Sequence, residues 1–419
     1  MIRQVLPRLL ASTLLLGGVA TSLHAAEAPN AFTLPPHSYW EREPQDRFTQ
    51  FKTDFEAGRA PIDFSSDKAF LISLLKALDI PASSQMWVFS TTSLQLRFIS
   101  PRNPRSVYFN DEVSIGYIPG GRIEVASLDP DLGAIFYIFD IPQPGQAPVI
   151  ERSNRCMNCH AGSETGRVPN WVVESSLPGP TGGSVKSFRQ DTTGHGIPFN
   201  ERFAGWHVTG KHAITGHWGN LIGRLSPQGV QTESVVPGER FDVNKYPVAT
   251  SDILTHLVFE HQLGFVTRLV EATYRTRALL EEDKGRLTPA HGAELDKVAD
   301  AFVRYILFAD EVKLPAGGVE GDPTFVADFL KPRKTTAGGT SLRDFDLRTR
   351  IFKYRCSYMI HSTVFQKMPA EMKQRVYRRL GQALSEGKPD PAYSYLPLEE
   401  KRAIVQILKE TVPDITRRP

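Results

Sequence analysis

The chain has 419 residues, 41% of them hydrophobic, and 49 basic side chains against 46 acidic ones leave a formal net charge of +3. So even a balance gives no argument from composition for binding nucleic acid or an anionic membrane surface. The length exceeds what one hydrophobic core usually organises, so two domains are expected.

The N-terminus reads as a secretory signal. Arg3 and Arg8 precede a short apolar core at residues 9–20, and Ser22-Leu23-His24-Ala25-Ala26 ends in small residues before Glu27-Ala28-Pro29-Asn30. The apolar run is interrupted by Gly17 and Gly18 and falls short of the roughly 20 residues that span a bilayer comfortably. Residues 1–26 are therefore expected to be a cleaved signal peptide, and the mature chain to be periplasmic or otherwise exported. No later apolar stretch reads as transmembrane.

The chain through residue 54 is rich in proline and aromatic residues, as in Pro35-Pro36-His37-Ser38-Tyr39-Trp40, and is expected to wrap a surface. Phe70, Leu71, Leu74, Leu75 and Leu78 recur at helical spacing and predict a short helix over residues 66–78. From residue 86 to 150, β-branched and aromatic residues alternate with turn signals such as Pro119-Gly120-Gly121, which predicts four or five antiparallel strands. Ile135, Tyr137 and Phe139 alternate with Phe136, Ile138 and Asp140, so that strand is expected to be covered on both faces. Residues 161–247, crowded with Gly and Pro, predict ordered loops and short strands. Helices are expected over residues 253–280, capped by Ser251 or Asp252, and over 291–312, 363–384 and 398–411. Gly338-Gly339-Thr340 reads as an exposed linker. The fold class is therefore α+β: an antiparallel β-rich part at residues 27–248, then a mainly helical part at residues 249–419.

Two of the three cysteines sit in Cys156-Met157-Asn158-Cys159-His160, a C-x-x-C-H pattern that reads as c-type haem attachment. On that reading Cys156 and Cys159 anchor one covalent haem c, His160 ligates its iron from the proximal side, the β-rich part carries haem-bearing loops and the helical part packs over or beside the haem. A zinc site needs further ligands, and only Cys356 remains among the thiols. A redox C-x-x-C normally sits in a βαβ setting that this context does not supply. Distal ligand candidates are His217 and His212, set among glycines and tryptophans, and His261, which shares an apolar stripe with Leu254, Val258, Phe265 and Leu269. His256 and Glu260 read as an i, i+4 pair on a solvated face. Arg152, Arg155, Arg167, Lys186 and Arg189 lie near the motif as partners for haem propionates. Cys356, in an apolar setting, reads as a buried inert thiol, and Met359, Met368 and Met372 as core.

The chain resembles large exported bacterial proteins that carry a single c-type haem motif. The resemblance rests on Thr92-Ser93-Leu94-Gln95, residues 106–113, residues 128–137, the C-x-x-C-H motif, Trp206-His207-Val208-Thr209-Gly210-Lys211-His212 with His217, Glu260-His261-Gln262 and Cys356-Ser357-Tyr358-Met359-Ile360. Such proteins usually have Tyr where this chain has His207. The resemblance implies an iron-binding, electron-transferring haem protein, and residues 396–413 look like the closing helix of a cytochrome c domain.

Three functions compete. The first is a periplasmic c-type cytochrome passing electrons to a redox partner protein or a small-molecule donor or acceptor. The second is a peroxidase- or oxygenase-like haem enzyme with an open distal site, where His212, His217 or His261 would move protons. The third is a haem-based sensor.

Overall fold

The computed structural model describes residues 30–188, 194–412 and 414–415; residues 1–26, read above as a signal peptide, lie outside them. The predicted alternation at residues 86–150 forms a meander of β1 (Met86–Val88), β2 (Arg105–Phe109), β3 (Val113–Tyr117), β4 (Ile123–Asp129) and β5 (Gly133–Phe139). The edge pieces β6 (Glu151–Arg152) and, from the Gly/Pro-rich segment, β9 (Trp206–His207) complete a sheet of order β6-β5-β4-β3-β2-β1-β9, every neighbour antiparallel. The remaining strands of that segment are short: β7 (Ser175–Pro178), β8 (Ser184–Phe188), β10 (Lys211–His212), β11 (Leu221–Ser226) and β12 (Gly229–Ser234), with β13 (Val319–Glu320) pairing back onto β10.

Every residue of β5 is buried, as its two apolar faces require. One face, through Tyr137 and Phe139, meets α1 (Arg47–Glu56) and α2 (Asp67–Ala77): the Phe48 ring lies 4.9 Å from Tyr137, and Phe55 and Phe70 pack on Phe139. Helix α2 matches its expected span to one residue at each end. Helix α1 was not anticipated, because the aromatic-rich N-terminal segment shows little helical periodicity; Asp46 caps it by accepting from the amides of Phe48 and Thr49.

The helical part is built on α4 (Ile253–Glu282), capped by Asp252 as expected. It crosses the sheet, with Gln262 donating to the Asn110 carbonyl at 2.7 Å and the Tyr274 hydroxyl to the Leu132 carbonyl at 2.8 Å. Helix α5 (Pro289–Ile306) and, later, α8 (Ala370–Ala383) pack against it. The helix expected over residues 363–384 is split into α7 (Thr363–Gln366) and α8, since Pro369 cannot donate to the helical ladder. Helix α6 (Pro323–Leu330), started by Asp322 and Pro323, went unread. Helix α9 (Leu398–Thr411) has the expected span, but nothing marks it as a cytochrome c closing helix. Its located polar contacts include Glu400 with Arg350 and Arg355, Thr411 with His361, Arg402 with Glu386, and Glu410 with the Ala337 amide. One apolar core runs continuously from Phe32 through the sheet and α4 to Val412. No helix among the described residues is long and apolar enough to cross a membrane.

The solvated i, i+4 pair on α4 is a correction. Every residue from 253 to 267 is buried, so the helix has no wet face there. Glu260 lies 3.2 Å from the Arg202 guanidinium, the two side chains 4% and 2% exposed, and His256 bonds Ser251 and the His207 carbonyl. Removing one partner of a buried pair strands a charge at a cost of about 3–5 kcal/mol. Glu260→Ala is expected to lower the unfolding free energy by about that amount in urea titration, and an effect below about 1 kcal/mol would show that the pair is compensated.

Burial also holds the histidines neutral. It lowers His160 and His207 to about 4, and His256 and His261 to about 3. A depressed native pKa contributes stability that is complete above the ordinary value near 6.5 and is lost as pH falls toward the native value. Glu271 and Glu311, raised to about 7 by burial, act oppositely, but the histidines outnumber them. The melting temperature is expected to fall progressively from about pH 6.5 to pH 4; a flat profile over that window would contradict the buried-neutral assignment.

Candidate functional site

The C-x-x-C-H motif forms a single helical turn, α3 (Met157–His160), with Cys156 as its N-cap residue. Three attachments fix it. On its N-terminal side, β6 pairs with β5 and the Ser153 amide donates to the Phe136 carbonyl at 2.9 Å. The Arg152 guanidinium lies over the Tyr39 and Trp40 rings and donates to the Tyr39 carbonyl at 2.5 Å. On its C-terminal side, His160 and Asn170 are joined twice: the Asn170 amide donates to the His160 carbonyl, and the imidazole Nδ1 donates to the Asn170 carbonyl, each at 2.9 Å. Asn170 in turn donates from its side chain to the Thr267 carbonyl of α4 at 3.1 Å. The His160 ring also packs 4.3 Å from Phe136 of β5. The turn is thus held between the edge of the sheet and the central helix.

Two glycines make this approach possible. Gly133, at φ +77°, starts β5 where a Cβ would lie 2.4 Å from the Pro169 carbonyl oxygen, so the sheet comes up against the 168–170 segment. Gly166, at φ +64°, lies where a Cβ would meet the Glu271 side chain at 2.6 Å, seating the loop after the motif on α4.

Both motif thiols are free, Cys156 half-buried and Cys159 exposed. Burial pushes the Cys156 thiol above its ordinary range, Glu124 and Glu151 adding to the shift while Ser153 opposes it. Burial also raises Cys159, with Glu174 and Glu164 in support. Reactive cysteines sit in electropositive surroundings, and these do not. The His160 tautomer with Nδ1–H leaves Nε2 as the unprotonated nitrogen.

The distal ligand candidates lie elsewhere in hydrogen-bond networks. His261 is fully buried, its Nδ1 sharing a proton with His195 Nδ1 at 2.8 Å and its Nε2 2.9 Å from Ser357 Oγ. This is the order of a nucleophile, its base and an orienting group, but Ser357 is 0% exposed and caps a buried 3-10 turn, so the array holds the core. His212 Nδ1 donates to the Ile214 carbonyl, while His217 Nδ1 accepts from the Gly219 amide and its ring lies 5.4 Å from that of His212. Cys356 and the three methionines are buried in the core, and burial drives the Cys356 thiol far above its ordinary range. Lys186 lies over Phe188 and Trp218; Arg189 lies outside the described residues.

No protein family, no curated protein and no solved structure matches the chain. The expected c-type cytochrome is therefore corrected. Among the described residues no group of three or more His, Cys, Asp or Glu side chains is arranged to hold a metal ion, and the located ring contacts of His160 are with Asn170 and Phe136. The resemblance to exported single-haem proteins, the covalent haem c, the iron site, the haem-bearing loops and the haem-dependent functions fall with it, as does a zinc site. A pair of free thiols on a pinned turn remains.

With both pKa values raised, alkylation of Cys159 by iodoacetamide is expected to be slower at pH 7 than that of a model thiol, and to accelerate as pH climbs beyond the ordinary range near 8.5. A rate at pH 7 above the model thiol's would sink the assignment.

Proposed function

We propose that Cys156 and Cys159 form an exported two-electron thiol–disulfide site that exchanges electrons with a redox partner. The reading supposes that the leader-like N-terminus directs export, that residues 27–248 carry the thiols and that residues 249–419 pack beside them. The carrying observation is the pair of free thiols three residues apart on one helical turn, one exposed and one half-buried. Helix geometry separates such Cα atoms by about 5 Å, within the roughly 4.4–6.8 Å that a disulfide accepts. Oxidation joins the two sulfurs and releases two electrons and two protons; reduction reverses it. Because the surroundings disfavour the thiolates, the reduced form lacks the stabilisation that makes some dithiols strongly oxidising. The couple is thus placed on the reducing side.

Mass spectrometry of the purified, exported protein tests this. The tryptic peptide containing both cysteines is expected to lose two hydrogens on oxidation and regain them with dithiothreitol, and Cys159→Ser to abolish the change. The midpoint potential is expected nearer about −270 mV than about −120 mV. Failure to form the intramolecular disulfide, or a stable covalent adduct on that peptide, would overturn the proposal.

A further inference from the structure

A cleft of about 580 Å³ lies between the 94–98 loop, the β3–β4 connection and the ends of β5 and β6. That volume falls within the roughly 300–1,000 Å³ of small-molecule sites. Two of its walls are pinned to each other. Gln95, 7% exposed, donates from its side chain to the Arg122 carbonyl at 3.1 Å and to Glu124 at 2.9 Å, while its Oε1 accepts from the Arg122 amide at 2.7 Å. A Cβ on Gly121 would lie 3.0 Å from that Oε1, so the glycine lets the 94–98 loop meet the β3–β4 connection. Walls joined in this way stand before a ligand arrives, and binding does not have to order them. Leu94 and Leu96, 37% and 57% exposed, give the cleft apolar surface together with Phe98 and Ile138. Covering such surface favours binding.

The polar lining leaves a charge and a hydroxyl unanswered. Arg122 is bridged to Asp140 at 3.1 Å. Arg97, whose guanidinium lies 4.6 Å over the Phe98 ring, lines the cleft with Arg155 and Glu151, and no ion pair engages any of the three among the described residues. Two unpaired cations against one unpaired carboxylate leave a single net positive charge for a ligand to meet. Ser153 is 1% exposed and lines the same cleft, its amide held by the Phe136 carbonyl at 2.9 Å, yet its hydroxyl has no hydrogen-bond partner. A buried hydroxyl left without a partner is unusual, and this one borders a cavity from which a ligand could supply it.

We infer that the cleft binds a small organic monoanion with an apolar body, its acidic group held by Arg97 and Arg155 beside the Ser153 hydroxyl and its body against Leu94, Leu96 and Phe98. The inference goes beyond the thiol–disulfide reading and does not rest on it, since neither motif cysteine lines the cleft. The arginines supply charge-assisted hydrogen bonds, and the apolar wall selects against small inorganic anions.

Two fluorescent probes of similar shape test it on the purified, exported protein: anilinonaphthalene sulfonate, a monoanion, and phenylnaphthylamine, the same rings without the sulfonate. The sulfonate is expected to saturate at one site per chain, with a dissociation constant at least about tenfold below that of the neutral probe, an advantage that shrinks as salt screens the arginines. Arg97→Ala and Arg155→Ala are each expected to weaken it about tenfold, as loss of a charge-assisted contact does, and Ser153→Ala about threefold. Binding of the neutral probe stays unchanged in the arginine variants, and a wild-type melting temperature separates a lost site from a lost fold. Arg240→Ala, which removes an arginine paired with Glu233 outside the cleft, should bind the sulfonate as wild type does. The double variant Cys156→Ser, Cys159→Ser should do so too, so that this inference and the dithiol reading fail separately. Equal affinity for the two probes, or wild-type affinity for the sulfonate in all three cleft variants, overturns the assignment and leaves the dithiol site standing.

Discussion

The burial of β5 on both faces is the constraint from which the rest follows. A strand with no wet side must be covered twice, and the chain supplies α1 and α2 on the Tyr137 and Phe139 side. On the Phe136 side it supplies the thiol turn, whose His160 ring packs on Phe136. Since side chains alternate strictly, a slip of one residue in the β4–β5 register would exchange the two sets. The register itself is fixed over seven residue pairs, from Ile123 opposite Phe139 to Asp129 opposite Gly133. Sheet register and placement of the thiols are one problem with one solution.

The turn carries too few residues to hold its own shape. A four-residue helix pays the nucleation cost with almost no propagation to offset it, so its order must come from what grips its ends. Arg152 clamped over Tyr39 and Trp40 holds the entry, and the two hydrogen bonds between His160 and Asn170, relayed to Thr267, hold the exit. His160, neutral and donating from Nδ1, serves as a brace. The central helix is thus coupled to the thiols through one asparagine.

The regular elements were largely legible, because hydrophobic period and caps are local signals. The meander, α2, α4 with its Asp252 cap and the span of α9 all follow from spacing, and Phe70, Leu71, Leu74 and Leu75 point inward as their period requires. The misses have physical causes. Helix α1 was hidden in a Pro- and aromatic-rich segment, and α4 was read as amphipathic although its first half is enclosed all round, which turned His256 and Glu260 from solvated groups into core partners of Ser251 and Arg202. The motif was legible as a cluster of thiols and imidazole, but spacing within five residues says nothing about what faces them. Whether a second set of ligands converges on His160 is a question of tertiary geometry, and His261, the inward-facing candidate, had already been taken by His195 and Ser357.

Burial is the largest influence on the thiols, and charge adds to it. Four carboxylates, Glu124, Glu151, Glu164 and Glu174, act on the pair, and all push toward the protonated form. Ser153 opposes them at Cys156, the less exposed of the two thiols. The asymmetry separates the roles that a dithiol needs. Exposure differs as well, Cys159 facing solvent and Cys156 half-buried, so a partner arriving from solvent meets Cys159 first.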